Sequence, residues 1–176
     1  MNRFNRALSA ALTLVSLAAP GLAVALAEDR EQPIEISADR AERDEGQGTT
    51  TYAGGVVMQQ GSMRIDATEV IIYNDRNKVT KIVALGEPAQ YQQKPSADDG
   101  LVVAQAQRLE YDIAAETLRL IEGASLKQEG TSLSGNRIDY DVRRAVVKAG
   151  SNEAQTERVR MVIPPRALKY GDEDDE

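Results

Sequence analysis

From residue 33 onward, apolar and polar residues alternate in short runs separated by turn-forming clusters. Period-two alternation marks a strand, because successive side chains leave the backbone on opposite faces. Ile34 and Ile36 alternate with Glu35 and Ser37. After a turn at Glu45-Gly46-Gln47-Gly48, Thr49-Thr50-Thr51-Tyr52 opens a β-rich run that continues through Val56, Val57 and Met58 to Gly61. Met63, Ile65 and Ala67 alternate with Arg64, Asp66 and Thr68. Val70-Ile71-Ile72-Tyr73 reads as a short apolar strand stopped by the turn cluster Asn74-Asp75-Arg76-Asn77. Val79, Ile82 and Val83 restart it, and Gly86-Glu87-Pro88 is expected to end it. Residues 92–100, with Pro95, Ser96, Asp98, Asp99 and Gly100, form a connecting loop.

The same plan then recurs at an offset of 68 residues, without a gap. Ala38 aligns with Ala106, Arg40 with Arg108, Glu42 with Glu110, Asp44 with Asp112, Thr49 with Thr117 and Gly55 with Gly123. Gln60 aligns with Gln128, Arg76 with Arg144 and Val79 with Val147, while Met58/Leu126, Ile65/Leu133 and Val70/Ile138 are conservative partners. A β unit used twice predicts one continuous scaffold rather than walls around a catalytic cluster. A last strand at 158–163 is ended by Pro164-Pro165. Helix formers in 38–45 and 104–116 allow a helical reading there. Both segments end at a turn before a β-rich run, which favours hairpins. Position 122 carries Glu opposite Gly54, so a local difference in twist is expected in the second copy.

The first 27 residues stand apart. Arg3 and Arg6 precede the apolar run Ala7 to Ala19, and Ala25-Leu26-Ala27 has the small-residue pattern of a cleavage site. This is the layout of a secretory signal peptide, giving a mature chain that begins at Glu28. The segment 7–27 is also just long enough to span a membrane if it is retained, although Pro20-Gly21 disfavours a stable helix. Residues 28–170 then form one domain, and 171–176 an acidic, disordered tail.

Charge and missing residue types narrow the chemistry. Without Arg3 and Arg6 the chain has 19 basic residues against 28 acidic ones, a net charge near −9, which argues against nucleic-acid partners. With no His and no Cys, thiolate nucleophiles, Ser-His-Asp triads, the usual zinc sites and disulfides are unavailable. No phosphate-binding or dinucleotide fingerprint occurs, so no metal site and no cofactor is expected. The carboxylates Asp39, Glu42, Asp44 and Glu45 could serve acid–base work. The chain has no Trp and a single Phe, in the leader, so platforms for sugar rings are scarce, and a solvated strand edge explains the cluster better. An exported hydrolase is poorly supported on these grounds.

The candidate interior is aliphatic: Ile36, Val56, Met58, Ile65, Val70, Ile72, Leu118, Leu120, Leu126, Leu133 and Ile138. Tyr52, Tyr73, Tyr111 and Tyr140 fall at strand positions where a ring can bury while its hydroxyl reaches a partner. Alternation alone fits an ordinary filled core, as in a structural β-repeat protein without a ligand. It fits equally an apolar groove between sheets that do not close.

Several ordered segments carry a resemblance. Residues 33–39 (Pro-Ile-Glu-Ile-Ser-Ala-Asp), 52–61 (Tyr-Ala-Gly-Gly-Val-Val-Met-Gln-Gln-Gly) and 63–70 (Met-Arg-Ile-Asp-Ala-Thr-Glu-Val) resemble the LptA/OstA-like family of periplasmic lipopolysaccharide-transport proteins. Leu120-Ile121-Glu122-Gly123-Ala124 and 133–140 are similar to the family's matching pieces, so the likeness extends over 33–163. The resemblance implies a twisted, incompletely closed antiparallel β-jellyroll of two similar halves that carries lipid without chemistry. Acyl chains of lipid A would lie in the groove lined by the aliphatic residues just named. Implied partners are an LptC-like inner-membrane protein, the N-terminal domain of an LptD-like outer-membrane protein, and further copies joined head to tail. The partner edges would be 34–38 and 158–163, with Ile34, Ile36, Arg158, Arg160 and Val162. Retention of the leader would instead suit an LptC-like membrane-anchored relative.

Overall fold

Each apolar run becomes a strand that pairs with its neighbour in sequence. The computed structural model describes residues 29–76, 78–96, 99–150 and 158–165. The expected leader and acidic tail lie outside the described residues. A 3-10 turn at Asp29–Glu31 precedes β1 (Glu35–Ser37), β2 (Arg40–Asp44), β3 (Thr49–Gln60), β4 (Met63–Asp75) and β5 (Lys78–Gln93). The second half contains β6 (Val102–Asp112), β7 (Thr117–Gln128), β8 (Thr131–Asp141), β9 (Val146–Gly150) and β10 (Arg160–Val162). All pairings are antiparallel and form one sheet in the order β1-β3-β4-β5-β6-β7-β8-β10. β2 shares the outer edge of β3 with β1, and β9 shares that of β8 with β10. Among the described residues no ladder joins the first edge to the last, so the sheet stays open. The architecture is all-β and unclosed, as expected.

The 68-residue repeat appears directly in the strands. β3 and β7 have identical spans at that offset, and β4 and β8 start in register with it. The recurring aspartates close hairpins. Asp44 Oδ1 accepts from the Gln47 N–H at 2.9 Å, and Asp112 Oδ1 from that of Ala115 at 2.8 Å. An Asp side chain that caps its own turn in this way ends a strand and starts the return. Both segments open to a helical reading are therefore strands, β2 and β6, held by cross-strand pairing.

Two expected strand ends are bulges instead. β4 runs unbroken from Met63 through Tyr73, and β5 passes through Gly86-Glu87-Pro88 to Gln93. The β4–β5 register shifts between Asp66 and Glu69, and the β5–β6 register between Leu85 and Ala89. Corresponding shifts fall at Ala53/Val56, Gln105/Arg108 and Ile121/Ala124 in the neighbouring pairs. A row of bulges thus crosses the sheet from β3 to β8. Each bulge bends its strand, and the row divides the sheet into two layers. The first holds β1, 56–60, 63–67, 89–93, 102–106, 124–128, 131–135 and β10. The second holds β2, 49–53, 69–75, 78–85, 108–112, 117–121, 137–141 and β9. Met58, Ile65 and Leu126 from the first layer share a single core with Ile72, Leu118 and Ile138 from the second. The layers therefore face each other across an apolar interior.

Glu122 does not set the second copy apart in backbone conformation. It adopts the same left-handed backbone as its counterpart, with φ +64° against +85° at Gly54. The copies differ in surroundings. A Cβ at Gly54 would stand 2.3 Å from Asp39 Oδ2, where the chain passes between β1 and β2, whereas the Glu122 side chain is exposed.

Candidate functional site

Register aligns inward side chains into rows that cross the strands. In the first layer, Ile36 pairs with Met58, Met58 with Ile65, Ile65 with Tyr91 and Tyr91 with Ala104. The row continues from Ala104 to Leu126, Leu126 to Leu133 and Leu133 to Met161. It runs from one edge strand to the other, about 34 Å at the usual strand spacing of ~4.8 Å. In the second layer, Tyr52, Val70, Ala84, Leu109, Leu120 and Ile138 form one row, and Ile72, Ile82, Tyr111, Leu118 and Tyr140 form another. The rows give the interior two apolar walls.

The eleven aliphatic residues singled out from sequence all belong to this interior. Val56, Met58, Ile65, Val70, Leu118, Leu120 and Ile138 are fully buried, and Ile72 and Leu126 nearly so. Ile36 and Leu133, nearer the edges, are half-buried against the same core. Sequence reasoning missed Tyr91, Ala104 and Met161, which complete the first-layer row, and Ile82, Leu109 and Ala84 in the second. Their signal was hidden by parity. Ile82 and Ala84 point inward at even positions, but beyond the bulge Ala89 and Tyr91 do so at odd ones.

The edges carry the expected terminal strands. β1 and β10 flank the sheet, while Ile34 and Arg158 lie just outside them. Arg160 and Val162 are exposed, as are Val159, Met161 and Ile163; Met161 is 58 % exposed. Val159, Met161, Val162 and Ile163 form an apolar margin where a solvated strand would normally carry charge. A crevice of about 150 Å³ between Leu126, Leu133, Val147 and Met161 opens the interior at this edge.

A larger cavity, of about 520 Å³, lies where the tips of the two layers meet. Met63 and Gln93 from the first layer and Val79, Tyr111, Ile113 and Val142 from the second line it, with Asp29 and Ile34 at its rim. Its size falls within the range of small-molecule sites, roughly 300–1,000 Å³.

The tyrosines divide. The Tyr91 hydroxyl hydrogen-bonds Gln93 Oε1 inside the core, and burial, with Tyr111, Tyr140 and Asp29 nearby, pushes it well above the ordinary phenol range. Tyr140, expected to find a hydroxyl partner, has none and is fully buried. Its ring fills the second-layer row at Leu118, and burial, with the charges of Asp99 and Asp141 nearby, raises it above the ordinary phenol range. Tyr73 instead carries the Lys81 ammonium 4.5 Å above its ring.

The outer face is charged and paired. Glu110, Arg119 and Asp139 are cross-strand neighbours on β6, β7 and β8. Arg119 binds Asp139 at 2.8 Å and Glu110 at 3.4 Å, Arg137 binds Asp139 at 2.8 Å, and Arg108 binds Glu110 at 2.7 Å. Partial burial raises both carboxyls, but the arginine hydrogen bonds and charges outweigh it and hold them below the usual range. Of the carboxylates at this edge, Asp39, Glu42 and Glu45 are exposed, while half-buried Asp44 is held by the Gln47 N–H; Asp44 and Glu45 border a crevice of about 320 Å³ together with Arg43 and Arg76. Chemically, the molecule offers an apolar interior behind a charged outer surface.

The LptA/(LptD N-terminal domain) LPS transport protein family model matches residues 35–146. The chain is 35% identical over 170 residues to the lipopolysaccharide export system protein LptH of Pseudomonas aeruginosa, covering 93% of this chain and 97% of that one. It is 34% identical over 151 residues to LptA of Haemophilus influenzae, covering 84% and 86%. With LptA of Escherichia coli K12 the identity is 29% over 171 residues, covering 96% and 89%. The crystal structure of P. aeruginosa LptH, described as the LptA-homologous periplasmic component of the lipopolysaccharide transport device, superposes with a TM-score of 0.74 at 36% identity. That match covers 79% of this chain and all of the other.

Proposed function

Because the chain belongs to the LptA/(LptD N-terminal domain) family of LPS transport proteins, we propose that it carries lipopolysaccharide across the periplasm and shields the acyl chains between its two layers. The edge-to-edge row from Ile36 to Met161 carries this reading. It provides an apolar track that begins and ends at open strand edges. Burial of acyl chains contributes about 0.8 kcal/mol per methylene, so lipid A would be held without phosphate clamps while its sugars stay in water. The relatives are lipopolysaccharide export proteins, and the lack of His and Cys suits a passive conduit. The groove residues are the aliphatic rows, with Ile36, Met58, Ile65, Leu126 and Leu133 in the first layer. Val70, Ile72, Leu118, Leu120 and Ile138 form the second, and Val56 lies beside the bulges.

The open edges supply the bridge. Strand addition at β1 would receive one neighbour and at β10 another, joining an LptC-like inner-membrane protein to an LptD-like outer-membrane domain, directly or through further copies. The apolar margin of β10 is then interface rather than surface. Export through the cleaved leader places the chain in the periplasm; N-terminal sequencing should find Glu28 first, and an intact leader would favour a membrane-anchored role.

Gel filtration tests the carriage. Purified protein mixed with lipopolysaccharide should elute as a protein–lipid complex. Protein that elutes free of lipid at every ratio would sink the proposal.

A further inference from the structure

The N-terminal turn crosses the mouth of the interior and is tied down there. The Asp29 carboxylate accepts three hydrogen bonds of 2.7 Å, from the Ser62 N–H, the Ser62 hydroxyl and Gln93 Nε2. Gln60 Nε2 donates to the Gln32 carbonyl at 3.0 Å. Gly61 makes room for the crossing. It has φ +58°, and a Cβ there would stand 2.3 Å from Asp29 Oδ1 and 3.0 Å from its Cα. These holding residues sit at the first-layer tips of β3, β4 and β5, beside the 520 Å³ cavity that Ile34 and Asp29 border.

Gln93 connects this tie to the core. It is the buried polar side chain among the described residues, 7 % exposed. Its Oε1 accepts from Tyr91, in the first-layer row, while its Nε2 donates to Asp29. One hydrogen-bonded chain therefore runs from the lipid track to the N-terminal segment.

We infer that residues 29–34 are a built-in occupant of an acyl-chain site at this mouth, a latch that a lipid tail displaces as it enters. The inference rests on the lipid-carrier reading. Ser62 is exposed, so water replaces its bonds when Asp29 leaves, while a few newly buried methylenes outweigh the loss. The vacated Gln93 Nε2 then donates to a carbonyl oxygen at the head of the tail, since a buried amide left unpaired is unfavourable. The site would thus take an acyl ester or amide rather than a plain hydrocarbon.

The absence of native cysteine makes a reversible lock available. In the full exported chain, Asp29→Cys with Ser62→Cys forms a disulfide on oxidation. A photo-crosslinking residue at Val79 reads the mouth, and one at Leu133 reads the far edge, both with purified lipopolysaccharide. Oxidation should lower capture at Val79 severalfold, because the disulfide holds the segment at the mouth whether or not lipid is present, and reduction should restore it. Capture at Leu133 should change less. Asp29→Ala, which cuts the latch without a lock, should raise capture at Val79 severalfold. Failure of the disulfide to form, or equal capture at Val79 in both redox states while Leu133 still captures lipid, overturns the latch. No capture at either position in either state overturns the carrier reading and the latch with it.

Discussion

Tyr91 and Tyr111 lie with ring centroids 6.5 Å apart and planes tilted by 35°, although they sit on opposite sides of the bulge row. Tyr91 pairs with Ala104, and Ala104 to Tyr111 would span about 24 Å along a straight strand at ~3.4 Å per residue. The rings meet because the bulges fold one layer over the other. The pair therefore reports on closure of the layers rather than on strand pairing. A double-mutant cycle of Tyr91→Ala and Tyr111→Ala should give a coupling of about 0.5–1.5 kcal/mol in urea unfolding. Strict additivity would mean that the layers do not meet there.

The bulge row also predicts opposite outcomes at equivalent positions of the two copies. Glu122 holds a left-handed conformation that costs an L residue about 1–2 kcal/mol. Glu122→Gly relieves it at some expense in unfolded-chain entropy, leaving a gain of roughly 0.5–1 kcal/mol. Gly54→Ala meets both the same strain and the Asp39 side chain, and should cost at least about 2 kcal/mol. Thermal unfolding of both variants decides it; a loss of stability in Glu122→Gly would contradict this account.

Acid stability should depend on the outer-face row. Glu110 and Asp139 are held below their ordinary values of 4.5 and 3.8. Their contribution is complete above those unfolded-state values and is lost as pH falls through the lower folded-state ones. Arg119→Met should therefore lower stability at pH 7 by about 1 kcal/mol, a modest figure because Arg119 is partly exposed. The difference from the parent should shrink toward pH 2. Urea midpoints across that range check it, and a deficit that grows on acidification would be the wrong sign.

Tyr140 offers a test of burial. Its hydroxyl is enclosed without a partner, a cost of roughly 1–3 kcal/mol to the fold. Tyr140→Phe keeps the ring and removes the orphan oxygen, so it should be neutral or stabilising by up to about 1 kcal/mol. A clear loss in urea midpoint would reveal a bond to this hydroxyl that the folded chain makes in solution.

How much of this was legible beforehand depends on parity. The strands β3 and β7 could be read from alternation and from the repeat, because two left-handed residues at each bulge preserve the inward register from Tyr52 to Val56 and from Leu120 to Ala124. The strands β4, β5 and β6 shift by one at their bulges. Val70 and Gly86-Glu87-Pro88 consequently looked like new starts or ends, and Ile82, Leu109 and Tyr91 were not placed on the inward wall. The aliphatic walls were visible because burial selects them one residue at a time. The rows that turn walls into a track depend on cross-strand register, which no local pattern carries. The Asp29 tie was invisible for a similar reason, since its partners lie 33 and 64 residues away.

The central claim is that lipid lies along the inward row of the first layer. Leu126 and Lys127 are adjacent on β7 and face opposite ways, the first buried in that row and the second exposed. Photo-crosslinking residues placed at each, in cells making lipopolysaccharide, test the claim directly. The account predicts lipopolysaccharide adducts at position 126 and essentially none at 127. Adducts at 127 alone, or equal adducts at both, would contradict it.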